Sequence, residues 1–217
     1  ELKKIGEPIT PVFDFAKDDY MPIDLSENCE GLSDIDWNDK EGFTDFIFQP
    51  LHNEHKKVAY GGYGEERSLY ERSKLFDGAE PRSFHLGLDL WTQAGTEVYV
   101  PIAGKVHSWG NHARHGDYGP VIILEHQIAH LHFFSLYGHL SVTSLIGLEE
   151  GKSFQSGDCL GTIGHYEENF HWPPHLHLQL MADMEDHKGD YPGVSKSSEK
   201  EHYLNNTFDP LFLAGLD

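Results

Sequence analysis

The chain has 217 residues, 38% of them hydrophobic and 24% charged, which is enough apolar material for one well-cored domain and too well mixed for a disordered polypeptide. Its 36 acidic residues against 16 basic ones give a formal charge of −20, which repels nucleic acid and anionic membranes and offers no phosphate-binding stripe. No apolar run approaches the ~20 residues of a membrane-spanning helix, and the leading stretch ELKKIGEPIT carries no hydrophobic signal core, so neither membrane insertion nor a visible signal peptide is expected.

From residue 1 to about 48 the sequence is acidic and irregular, with Pro8, Pro11 and Pro22 and the run LSDIDWNDKEG. It shows no sustained period and reads as an arm wrapped on the core. Residues 52–83 read as a bridging segment with HNEHKK, the glycine cluster YGGYGEE and a short helix over ERSLYERSKLF. Tyr60 and Tyr63, with the glycines between them, suggest a flap over a cleft or a flexible linker. Cys29 and Cys159, far apart in sequence, read as two unpaired thiols rather than a disulfide or metal ligands.

After Ser83 the texture changes to short runs of Val, Ile, Leu and aromatics punctuated by Gly, Pro and Asn. The runs FHLGLDLW, EVYVPIAGKVHSW, PVIILEH, LHFFSLYGHLS, DCLGTIG and PHLHLQLMAD predict a mainly β protein, an antiparallel sandwich or barrel-like core. The tail from about Glu185 is polar, with DYPG as a turn and FDPLFLAGL as a final apolar anchor. The expected organisation is an arm and bridge over 1–81, a β-core over 82–184 and a packed tail over 185–217.

In FHLGLDLW the leucines alternate with His85, Gly87, Asp89 and Trp91, so His85 and Asp89 share one face of a strand. In a flat strand positions four apart lie about 13 Å apart, too far to share one ion. The strand must bend, and Gly87 is the residue best able to allow it. PPHLHLQL repeats the pattern, with Leu176, Leu178 and Leu180 inward and His175, His177 and Gln179 toward a cleft. Two histidines at this spacing suit one as a metal ligand and the other beside the metal's water. His139, in LYGHLS, is on its own a structural histidine.

Taken in order, His85-x-Gly-x-Asp89, Tyr137-Gly-His139-Leu-Ser141 and His175-x-His177 resemble the signature of the lysostaphin or LytM-type zinc endopeptidases. AGTEVYVPIAGKV, GPVIILEH and GKSFQSGDCLGTIG look like that family's intervening strands, and the likeness covers about residues 82–182, roughly half the chain. The resemblance implies a duplicated-hybrid-motif β fold and one Zn²⁺ per chain held by His85, Asp89 and His177 with an open position. It implies catalytic roles for His139 and His175 beside the metal's water, the division between them left open, and peptidoglycan peptides or other short peptides as substrates. It also implies an extracytoplasmic home. The segment HYEENFHWPP departs from the small residues of many relatives, so His171, Trp172 and Pro173 are expected to reshape the cleft entrance.

Other histidines are set apart: His107, His112 and His115 offer a second metal site but read better as a polar loop, His126 at a strand end reads as structural, and His52 and His55 have no corroborated pairing. Rival functions are a non-catalytic binding or regulatory module of the same fold, a hybrid-motif phosphocarrier, a lipoyl carrier and a cupin-type metal oxygenase. All five site positions are filled here, no lysine marks a hairpin tip, and the cupin's downstream glutamate is missing.

Overall fold

The computed structural model describes residues 9–32, 35, 39–67, 80, 82–114, 117–169 and 171–216. Thirteen strands occur among these: β1 (Tyr20–Pro22), β2 (Val58–Gly61), β3 (Arg82–His85), β4 (Leu88–Trp91), β5 (Glu97–Tyr99), β6 (Gly104–His112), β7 (Gly119–Ile128), β8 (Leu131–Gly138), β9 (Ser153–Phe154), β10 (Cys159–Thr162), β11 (His175–Met181), β12 (Val194–Lys196) and β13 (Thr207–Phe208). Two helices accompany them, α1 (Lys40–Asn53) and α2 (Lys200–Asn206).

The expected mainly β architecture is present. The main sheet runs β1-β2-β4-β11-β8-β7-β6-β9, with β13 also joined to β11. Its pairs are antiparallel except β1–β2, and β5–β10 and β3–β12 form two small antiparallel ribbons. The long hairpin β7–β8 exists because Val121, Ile122, Ile123 and Ile128 on one strand and Phe133, Phe134 and Tyr137 on the other supply β-branched and aromatic residues on either side of a two-residue turn. Leu88, Leu90, Leu176, Leu178 and Leu180 lie in one core cluster with Ile122, Leu124 and Tyr137, so the leucine alternation reports the buried face.

Three readings of the chain change in the structure. Part of the segment expected to be irregular is helix α1. The Asp39 side chain accepts from the Glu41 N–H at its start, and Phe43, Ile47 and Leu51 recur every four residues along its buried face. Residues 58–61 form neither flap nor linker: β2 pairs with β4, and the Tyr63 hydroxyl donates to the Thr207 carbonyl at 2.9 Å. His107 and His112 lie on β6 rather than in a loop, because the register Lys105↔Glu125 to His112↔Gly119 extends the hairpin with β7 along that whole stretch.

The helix expected within ERSLYERSKLF and His115 fall outside the described residues, apart from Glu66 and Arg67. Cys29 and Cys159 are unpaired. No described helix is long and apolar enough to cross a membrane.

Candidate metal centre

The segment FHLGLDLW does not bend as one strand; it breaks. β3 ends at His85 and pairs with β12, whereas β4 begins at Leu88 and pairs with β2 and β11. The step between them is pinned by the Leu86 N–H donating to the Gly193 carbonyl at 2.9 Å. Changing sheets at this point shortens the path from His85 to Asp89 far below that of a flat strand. Gly87 is needed for space: a Cβ there would lie 2.5 Å from His177 Nε2 and 2.8 Å from the Leu178 carbonyl oxygen.

On β11, His177 stands opposite Asp89 of β4 and Gly138 of β8, and His175 stands opposite Trp91. His85 Nε2 lies 3.3 Å from Asp89 Oδ1 and 3.1 Å from His177 Nδ1, and His177 Nδ1 lies 3.0 Å from Asp89 Oδ1. A tetrahedral zinc with bonds of about 2.0 Å sets its ligand atoms about 3.3 Å apart, so the triangle has the size that such an ion requires. Among the described residues this is the group of three His, Cys, Asp or Glu side chains able to share a metal.

The surroundings settle which nitrogens carry protons. His85 Nδ1 lies 3.0 Å from the Gly62 carbonyl, to which only an N–H can donate, leaving Nε2 with its lone pair. His177 Nε2 lies 2.9 Å from Gln179 Oε1, whose amide is oriented by Nε2 of Gln179 donating to the Pro192 carbonyl at 3.1 Å. His177 therefore also presents a lone pair, on Nδ1. With the Asp89 carboxylate, three electron pairs converge with no hydrogen between them, an arrangement that a cation stabilises and its absence does not.

Asp89 is held from behind. Arg67, itself buried, donates from Nη1 to Asp89 Oδ2 at 2.6 Å and from Nε to Glu65 Oε2 at 2.6 Å. Burial alone would raise the Asp89 carboxyl, but the neighbouring His85 imidazole and the Arg67 guanidinium outweigh it and hold it well below the usual range. Burial, with Arg67 nearby, lowers His85 to about 4.

His175 and His139 complete the wall. The His175 ring stacks on Trp91 with centroids 4.0 Å apart, its Nδ1 donates to the Pro173 carbonyl at 2.8 Å, and its Nε2 lies 3.9 Å from Asp89 Oδ1. His139 follows the end of β8 at φ +62°, a left-handed conformation rare for a non-glycine residue. The bend is held by the His139 N–H donating to the Tyr118 carbonyl and by its own carbonyl accepting from Gly164. It brings the His139 ring to 3.9 Å from that of His175. Burial pushes His175 down to about 4 and His139 well below the ordinary histidine value, so both are neutral at pH 7.

All five predicted site residues thus meet in one open cleft of about 380 Å³, walled by Trp91, Tyr118 and Trp172. Trp172 is buried and Pro173 fixes His175, so the WPP segment does shape this wall, while His171 is exposed and lines no part of it. His107 and His126 lie elsewhere. The His126 ring is sealed in the core between the Ala103 carbonyl and the Ser135 hydroxyl. His112 donates to the Gly189 carbonyl at 2.7 Å. Sequence reading missed Arg67, Gly62 and Tyr118. Gln179 was expected on the cleft side from the strand alternation, and the structure adds its role as the acceptor for His177 Nε2.

Residues 83–189 match the family described as peptidase family M23. This segment, just under half of the chain, belongs to the M23 peptidase family. No curated protein matches it in sequence. Among solved structures, the M23 chain is similar to a zinc-containing peptidase from Vibrio cholerae, at 25% identity over 45% of this chain and 27% of that one, with a TM-score of 0.35. A putative M23 peptidase from Pseudomonas aeruginosa is 25% identical over 72% of this chain and 55% of its own, with a TM-score of 0.40. The catalytic domain of lysostaphin from Staphylococcus simulans is 22% identical over 76% and 96%, with a TM-score of 0.43. The chain spans less than two thirds of the first two structures' lengths. Gly62, Arg67 and Gly193 lie outside the matched family segment yet hold its first strand and ligand shell.

Proposed function

We propose that this M23 chain is a zinc-dependent endopeptidase that hydrolyses peptide bonds of peptidoglycan cross-links or stem peptides. The observation that carries the reading is the convergence of His85 Nε2, Asp89 Oδ1 and His177 Nδ1, each with a lone pair and none with a proton to share. Zinc in that triangle would polarise the scissile carbonyl and acidify a water molecule.

The chain's own residues supply the proton traffic. His175, with Nδ1–H committed to Pro173, has Nε2 free to accept a proton from the attacking water as its oxygen bonds the carbonyl carbon. His139, ring to ring with His175, stands beside the same position and is placed to take up a proton there and return it to the departing amine when the C–N bond breaks. The aromatic walls hold the two imidazoles in place. The cleft is open, which suits an extended peptide.

Metal analysis of the purified protein is expected to find about one zinc per chain. Incubation with purified muropeptides and glycine-rich peptides, read by mass spectrometry, is expected to show cleavage. His177→Ala should lose both zinc and cleavage, whereas His175→Ala should keep zinc and lose cleavage. A His177→Ala protein with unchanged metal content would overturn the assignment.

A further inference from the structure

The segment between Gly164 and His175 does more than shape the cleft mouth. It is tied to the chain at His139 and just beyond it: the Gly164 N–H donates to the His139 carbonyl, and Glu168 accepts from the N–H groups of Val142 and His165. Inside it, Asn169 is fully buried and is fixed by its N–H donating to the His165 carbonyl at 2.8 Å. Its amide Nδ2 points to the Pro173 carbonyl, 3.4 Å away, the same oxygen that accepts from His175 Nδ1. That contact fixes the amide orientation, since the flipped form would set two carbonyl oxygens against each other.

Two buried polar atoms are then left without a standard hydrogen bond, Asn169 Oδ1 and His139 Nδ1. Such atoms are rare and costly inside proteins. One is an obligate acceptor; the other is an acceptor or a donor according to tautomer. The Asn169 amide already bears on the His139 ring in the sense that favours a proton there. The His139 ring lies 3.9 Å from that of His175, whose Nδ1 shares the Pro173 carbonyl with the Asn169 amide, and catalytic hydrogen bonds unmade in a substrate-free site commonly close in the substrate complex.

We propose that Asn169 is a positioning residue that accepts a hydrogen bond from His139 Nδ1–H, fixing His139 in the tautomer whose Nε2 lone pair is presented to the substrate. Through Pro173 and Asn169 one loop then gives both imidazoles the same protonation pattern. The inference rests on the peptidase reading for its consequence in turnover, but the tautomer itself does not depend on that reading.

The test uses the full chain, zinc-loaded and ¹⁵N-labelled at histidine, with the His139 signal assigned by its loss in His139→Ala. The unmodified protein should show His139 protonated at Nδ1; protonation at Nε2 would overturn the proposal without any variant. Asn169→Leu, which keeps the side-chain volume and removes the acceptor, should lose that preference. Its zinc content should be unchanged, its KM within about twofold and its kcat at least about tenfold lower, since a general acid–base group contributes about 10²–10⁴-fold. Asn169→Asp, which keeps an acceptor oxygen, should restore the tautomer and much of kcat. An Asn169→Leu protein with full kcat and an unchanged His139 tautomer would sink the idea. Absence of cleavage by the unmodified zinc protein would count against the peptidase reading alone, with the nitrogen spectrum still deciding the role of Asn169.

Discussion

Arg67 grips the outer oxygen of Asp89 and leaves the inner one for the histidines: Nη1 donates to Oδ2 at 2.6 Å, while Oδ1 lies 3.3 Å from His85 and 3.0 Å from His177. A carboxylate anchored this way is pre-turned for a single-oxygen contact with a cation. Arg67→Leu should therefore weaken zinc binding by about 10–100-fold, the usual effect of removing such an outer-shell partner. It should also lower stability by about 3–5 kcal/mol, because a buried carboxylate loses its counter-charge. Competition with a zinc chelator measures the first and denaturant unfolding the second. Arg67→Lys, which keeps the charge without the planar fork, should recover only part of either.

Gly87→Ala should empty the centre while leaving most of the sheet. The added methyl would lie 2.5 Å from His177 Nε2 and 2.8 Å from a β11 carbonyl, so the imidazole is the group that must move. Strand content by circular dichroism should stay close to that of the unmodified protein as zinc content falls. A Gly87→Ala protein with full zinc occupancy would show that the cradle tolerates a side chain.

Phe43 of α1 meets Trp91 and Trp172 edge-on, with centroids 5.9 Å and 6.1 Å away, and Trp91 in turn carries His175. Phe43→Ala should cost about 3–5 kcal/mol, as truncations of buried aromatic rings do. Thermal unfolding reads the loss directly. If the melting temperature is unchanged, α1 does not support the site wall.

Acid should destabilise the protein through a histidine remote from the metal centre. Burial lowers His126 to about 4 in the folded state, whereas an unfolded histidine titrates near 6.5. Between those values the unfolded chain binds the extra proton, so this contribution is fully present above about pH 6.5 and is lost as pH falls toward 4. A shift of this size corresponds to about 3 kcal/mol. Unfolding free energy followed across that window should drop, and should drop less in His126→Gln if that protein folds.

The leucine ladders of β4 and β11 were legible because a two-residue period sorts chemistry from core within a few residues, and the chemistry sat on the predicted side in both strands. His139 was different. Nothing local marks a histidine after a glycine as functional, and only the family likeness placed it with His175. Helix α1 was hidden because Gly42 and Pro50 interrupt a short stretch in which Phe48 blurs the stripe made by Phe43, Phe46, Ile47 and Leu51. Arg67 was invisible for another reason: its partner lies 22 residues away, and in a run of charged residues no spacing tells a buried arginine from a solvated one.

The place of β11 also bears on how the molecule comes into being. β4 and β8 precede it in the chain, yet in the sheet they are joined to it from opposite sides, and β13 pairs with its far end. Until this keystone inserts, both earlier strands carry open edges, the situation in which chains pair wrongly with one another. Closure over such long sequence separations is slow, so refolding should be sluggish and yield should fall as protein concentration rises.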